Sequence, residues 1–200
     1  MEKVYDYMKE AIATVKKRME ESDYTEPIHV YNYECLIGLL YLSLHELKSH
    51  SDKYYVRMPE YLNNELIDFW IDNDIPGEMP VNCQVKSLDY LSPEVARTYA
   101  QKAYNECPNH QLVIIGNRKD DIDFKGIKLV EIDKMLSDLS KLMDLRKTNY
   151  LVDFLVAGID KILKTDAKKY KFNMDTFMLE KKRKSCELRG SFLFRYISIV

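Results

Sequence analysis

The chain has 200 residues, 46% of them hydrophobic and 31% charged, with six glycines and six prolines, which excludes a disordered, collagenous or low-complexity protein and predicts one folded unit. The formal net charge is −2 and the pI about 6.1, a balance that on its face argues against a polyanionic partner. The longest nearly unbroken apolar run, Cys35 to Leu44, is about half of a membrane span and no signal-peptide core follows Met1, so an intracellular, cytoplasmic protein is expected.

Residues 2 to 21 carry apolar side chains at Val4, Tyr7, Met8, Ala11, Ile12 and Val15, the spacing of a peripheral helix with one solvated face. After a loop holding Pro27, Tyr31 to Ser49 is apolar almost all round, which predicts a helix buried in the middle of the domain, with Glu34 near its start. Tyr54 to Met58 suits a short strand. Residues 65 to 72 alternate, with Ile67, Phe69 and Ile71 on one face and Asp68, Trp70 and Asp72 on the other. Pro76, Gly77 and Pro80 then separate that strand from Val81 to Leu88, where Asn82, Gln84 and Lys86 share a face, and the pair reads as a hairpin with one polar face.

Ser92 and Pro93 form an N-cap and a first-turn proline, opening a helix with the stripe Val95, Ala96, Tyr99, Ala100, Ala103 and Tyr104 that ends at Pro108. Leu112 to Ile115 is a strand covered on both faces, Ile127 to Ile132 another, and Asp133 is the expected cap of a helix with Met135, Leu136, Leu139, Leu142 and Met143 inward. A further helix is expected from about Asn149 to Leu163, before a basic C-terminal stretch. The four cysteines (Cys35, Cys83, Cys107, Cys186) stand far apart, so buried reduced thiols are expected in place of a zinc site or a disulfide framework.

The chemistry concentrates on the hairpin. With its turn centred near Gly77, Asp68 falls opposite Lys86 and Trp70 opposite Gln84, and cross-strand neighbours lie about 4.5 to 5.5 Å apart. An acid, an amide oxygen and an ammonium on one patch suit metal-assisted phosphodiester hydrolysis: hard oxygen ligands hold Mg²⁺ or Mn²⁺, and a lysine positions or deprotonates the attacking water. Asp68 is the expected principal ligand, chosen on spacing over Asp72 and Asp74 of the same face; Gln84 lends its side-chain oxygen, the Val85 carbonyl completes the edge, and Lys86 sits by the water. Because glutamine replaces a second acid, Glu34 is the natural added ligand.

Asp68, fifteen intervening residues, then QVKS at 84 to 87, a helix and the strand LVIIGN together resemble the PD-(D/E)XK nuclease superfamily, most closely its Mrr-like restriction endonuclease branch. The similarity covers roughly residues 30 to 140, including KLVEIDKML at 128 to 136. Many members have glycine just before the aspartate, where this chain has Asn64-Glu65-Leu66-Ile67, and Gln84 stands where the second acid is usual. The resemblance implies an α/β (α+β) restriction endonuclease-like core with a central mixed sheet flanked by helices. Residues 1–140 form that core with its N-terminal helix, and residues 141–200 a helical, basic C-terminal extension packed on the same unit. It implies a metal-dependent nuclease acting on DNA ahead of RNA. Many enzymes of this fold cut duplexes as dimers, so a homodimer is the implied assembly. The alternatives are an inactive nuclease-fold module that binds nucleic acid or assembles, and a helical interaction protein with a structural hairpin.

Each candidate also has a plainer role. Asp68 and Lys86 suit a surface ion pair worth at most about 1 kcal/mol, and Glu34 suits a first-turn acid favoured by the helix dipole. His45, on the Glu34 helix, either joins the site or is a core histidine, and Trp70 either stacks a base or covers the core under the N-terminal helix. Arg97 and Gln101, one turn apart, form either a phosphate grip or a solvated helix face. The run Lys181, Lys182, Arg183, Lys184 suits a solvated segment or a nucleic-acid contact. Residues 161 to 200 hold eleven Lys or Arg against four Asp or Glu, a local +7, which leaves −9 on the first 160. The near-neutral total is a cancellation between two unlike regions.

Overall fold

A computed structural model describes residues 2–23, 27–59, 67–86, 92–106, 112–117, 127–143, 159, 170–173 and 178–181. The order is α1 (Glu2–Glu21), α2 (Pro27–Ser49), β1 (Tyr54–Arg57), β2 (Phe69–Asn73), β3 (Val81–Lys86), α3 (Pro93–Glu106), β4 (Leu112–Gly116), β5 (Ile127–Glu131), α4 (Ile132–Leu142), β6 (Tyr170–Asn173) and β7 (Met178–Lys181). Strands β1 to β5 form one mixed sheet in sequential order. β1, β2 and β3 are an antiparallel meander, while β3, β4 and β5 run parallel, which requires a crossover between β3 and β4. Helix α3 supplies it.

The sheet divides the apolar residues into two layers. Phe69, Ile71, Cys83, Val85, Val113 and Ile115 join α1, α2 and α4 in the main core, while Ile67, Leu112 and Ile114 form a smaller cluster with Trp70 and Tyr99 of α3. Every residue of β4 is buried, as a strand covered on both faces requires. Helix α2 is the hub, touching α1, α4 and the first three strands. Its close approach depends on Gly38, where a Cβ would meet the Phe69 ring at 3.3 Å. That contact fixes α2 against the end of β2 that carries Asp68.

Several expectations change. Pro27 begins α2 rather than lying in a loop before it, the position where its missing N–H costs nothing, so Glu34 lies beyond the first turn and the dipole role lapses. Asp133 is not the cap of α4. Glu131 occupies that position without a side-chain cap bond, and Asp133 instead accepts a hydrogen bond from Tyr5 of α1 at 3.3 Å. Leu142 is 38% exposed rather than inward. Trp70 lies in the α3-side cluster, not beneath α1.

The expected helical C-terminal extension is corrected in part. β6 and β7 pair antiparallel and β7 runs against α2, because Tyr170-Lys171-Phe172-Asn173 alternates with period two rather than following a helical repeat. Of the expected helix at 149 to 163, Ile159 alone is described; it is helical and buried. Cys35 and Cys83 are free and buried, and Cys107 and Cys186 lie outside the described residues. Among the described residues no helix is long and apolar enough to cross a membrane.

The β2–β3 turn sets the register of the site. Ile75-Pro76-Gly77-Glu78 is a type II turn: Glu78 N–H donates to the Ile75 carbonyl at 3.2 Å, proline pre-sets φ at the second position, and Gly77 takes φ 84° at the third. Gly77→Ala should therefore lower stability by about 1 kcal/mol. An unchanged denaturant midpoint would show that the positive φ is unimportant.

Candidate functional site

Trp70 pairs with Asn82 and Ile71 with Val81, not Trp70 with Gln84 as a turn centred on Gly77 predicts. Pro80 cannot donate to the ladder, and β3 starts only after it. The ladder continues through Asp68 N–H to the Cys83 carbonyl at 2.9 Å, so Asp68 comes level with Gln84 rather than with Lys86. The Asp68 carboxylate accepts from Gln84 Nε2 at 2.6 Å and from the Val85 backbone N–H. Val85 thus meets Asp68 through its N–H. Asp68 and Gln84 are 6% and 3% exposed, so the polar face of the hairpin is enclosed, not solvated.

Asp72, on the same strand face, is engaged elsewhere: it pairs with Arg57 Nε at 2.8 Å, and the Arg57 guanidinium stacks 4.2 Å above the Trp70 ring. Asp68, by contrast, meets Gln84 and Val85. Burial pushes the Asp68 carboxyl up to about 6, against the opposing pull of the Val85 N–H, the Lys86 ammonium and the Gln84 amide. Glu34, reaching in from α2, is pushed up to about 9 by burial first and by the Asp68 charge second, with Lys86 opposing. Four expected site residues, Glu34, Asp68, Gln84 and Lys86, share one electrostatic neighbourhood.

Lys86 offsets the two acids only in part, and both carboxyls stay raised. Gln84 turns its amide nitrogen to Asp68, which leaves Oε1 buried without a hydrogen-bond partner. Among the described residues no three His, Cys, Asp or Glu side chains gather as a metal-holding group. Two carboxylates and an unsatisfied amide oxygen nonetheless fit a hard cation of the Mg²⁺ kind, which keeps several waters and takes only one or two carboxylates from the protein. Comparison with protein-family models and with curated proteins returns no match.

The remaining candidates do not converge here. Arg97 and Gln101 are exposed on α3, Gln101 bonds Asn105 at 3.1 Å, and both lie on the side of the helix away from Tyr99, which packs on the sheet. Lys181 ends β7, and Lys182, Arg183 and Lys184 lie outside the described residues.

His45 is eleven residues, or about 16 Å, along α2 from Glu34. It packs edge-on to Tyr54 at 4.5 Å, and its Nε2 is buried without a hydrogen-bond partner. Burial and, secondarily, Lys128 hold its pKa below the ordinary 6.5. The unfolded chain protonates His45 first, so its contribution is complete above pH 6.5 and is lost as pH falls below that value. Wild type minus His45→Phe, followed by thermal melts from pH 7.5 to 5.5, should show this loss; parallel curves would contradict it.

The residue that sequence reasoning missed is Tyr99. Its ring lies 4.1 Å beneath the Lys86 ammonium. In the sequence it is one member of an apolar helical stripe, and nothing in that spacing distinguishes a core tyrosine from one facing a lysine.

Proposed function

We propose that the chain is a metal-dependent nuclease with a restriction endonuclease-like core of the Mrr-like branch, hydrolysing phosphodiester bonds in DNA in preference to RNA. The observation that carries this reading is the junction of Asp68 with Gln84 and Val85, with Glu34 and Lys86 within Coulomb reach. It lies in an α-β-β-β-α-β run whose meander passes into a parallel crossover. Asp68, Glu34 and the Gln84 amide oxygen would hold Mg²⁺ or Mn²⁺, which supplies positive charge to the phosphate when bound.

The chain's own groups account for the rest. Val85 N–H and Gln84 fix the Asp68 carboxylate in one rotamer, so its remaining lone pairs need no reorganisation before use. Lys86 Nζ orients the attacking water and balances the charge that develops beside it. Enclosure by α2 and α3 keeps the local dielectric low, which strengthens each of these interactions. The basic C-terminal sequence carries the positive charge suited to tracking phosphates, and a homodimer is the assembly suited to cutting both strands of a duplex.

A second reading, an inactive nucleic-acid-binding module, is favoured by the bond that Gln84 makes to Asp68, since that bond and the Val85 N–H both engage Oδ2 and leave Oδ1 alone for a cation. Incubating wild type with single- and double-stranded DNA and RNA, with Mg²⁺, Mn²⁺ or EDTA, separates the two. Cleavage that EDTA stops supports the enzyme. Binding without cleavage on every substrate supports the module.

A further inference from the structure

A lysine beside a buried and a half-buried carboxylate is expected to close onto one of them, because the attraction of a direct ion pair offsets part of the desolvation cost. Lys86 does not. Its charge is felt at both Glu34 and Asp68, yet among the described residues it makes no ion pair within 4.0 Å. Its ammonium rests instead over the face of Tyr99.

Two features of the fold produce this placement. Alternation along β3 sends Lys86 to the α3 side of the sheet, where Tyr99 is anchored against Ile67, Leu112 and Ile114. On the neighbouring strand the residue paired with Lys86 is Gly116. A Cβ there would meet the Lys86 carbonyl oxygen at 3.3 Å and the Lys86 Cβ at 3.4 Å, so glycine leaves the lysine stem free to lie toward α3. A ring face attracts an ammonium through its quadrupole without neutralising it.

We propose that Tyr99 is a positioning residue: its ring holds the Lys86 ammonium out of a direct ion pair with Asp68 and Glu34 and preserves a gap between them for a water and a phosphate oxygen. The use of that gap rests on the nuclease reading. The placement of Lys86 does not.

The test is made on the full chain, with lysines isotopically labelled and the Lys86 signal assigned by its loss in Lys86→Arg. In wild type the Lys86 Hε resonance should be displaced upfield by the ring current, a measurement that needs no variant to fold. Tyr99→Phe keeps the ring and should keep the displacement, whereas Tyr99→Leu, which preserves apolar packing, should abolish it. In cleavage assays Tyr99→Leu should lose about tenfold in kcat with KM little changed, and Tyr99→Phe should stay within twofold of wild type. A wild-type Lys86 signal at the random-coil position, an unchanged signal in Tyr99→Leu, or a phenylalanine variant as impaired as leucine would each overturn the proposal. If wild type cuts no substrate, the nuclease reading fails and the resonance displacement alone decides the role of Tyr99.

Discussion

Asp68→Asn is expected to leave the fold intact while reducing metal-dependent cleavage of DNA by about 10²- to 10³-fold, the loss typical of removing one preorganised charge-stabilising group. Asparagine is the informative substitution. The buried Val85 N–H and the Gln84 amide both depend on an acceptor at position 68, and alanine would leave them unpaired at about 1 to 3 kcal/mol each. Asparagine keeps a carbonyl for Val85 and Gln84 while removing the charge and the second oxygen. Lys86→Ala should be comparably impaired, by about 10²- to 10⁴-fold if it acts on the attacking water. Asp72→Asn serves as the comparison: Asp72 is committed to Arg57, so cleavage should persist. Equal activity in wild type, Asp68→Asn and Lys86→Ala would end the enzymatic reading.

The second large effect concerns stability. The carboxyl of Glu34 is raised from 4.5 to about 9 and that of Asp68 from 3.8 to about 6. Both groups therefore bind protons more tightly in the folded chain than in the unfolded one. Their contribution is fully present below the unfolded values and is lost as pH rises toward the folded ones. For each pH unit over which only the unfolded carboxyl is ionised, the loss is about 1 kcal/mol.

Metal-free wild type should accordingly melt several degrees lower at pH 8.5 than at pH 5.5. Glu34→Gln, which resembles the protonated side chain, should be the more stable protein at pH 8.5 and should flatten the profile. Millimolar Mg²⁺ should recover much of the loss in wild type at pH 8.5 by binding only the folded state, and less of it in Glu34→Gln. Identical pH profiles for the two proteins would show that Glu34 is not the acid responsible.

Local pattern determined much of this protein. The all-round apolar character of residues 31 to 49 identifies the central helix, and the alternation through Ile67, Phe69 and Ile71 and through Val81, Cys83 and Val85 identifies the strands and their core face. Ser92 with Pro93 marks the start of α3, where Val95 N–H bonds the Ser92 hydroxyl at 3.2 Å. These signals are short-range: the period of side-chain direction and the capping of backbone groups are written into neighbouring residues.

Tertiary structure alone decided how the parts meet. The pairing of Asp68 with Gln84 depends on where a type II turn ends and where Pro80 lets the ladder begin, an offset that alternation cannot report because a two-residue slip leaves every side chain on the same face. The engagement of Asp72 depends on Arg57, which β1 brings beside it. The approach of Glu34 required α2 to seat Gly38 on Phe69, and the role of Tyr99 required α3 to lay one member of an ordinary apolar stripe beneath Lys86. Contacts between residues distant in sequence are fixed by packing of whole elements, and only that packing turns a candidate list of acids, amides and lysines into a site.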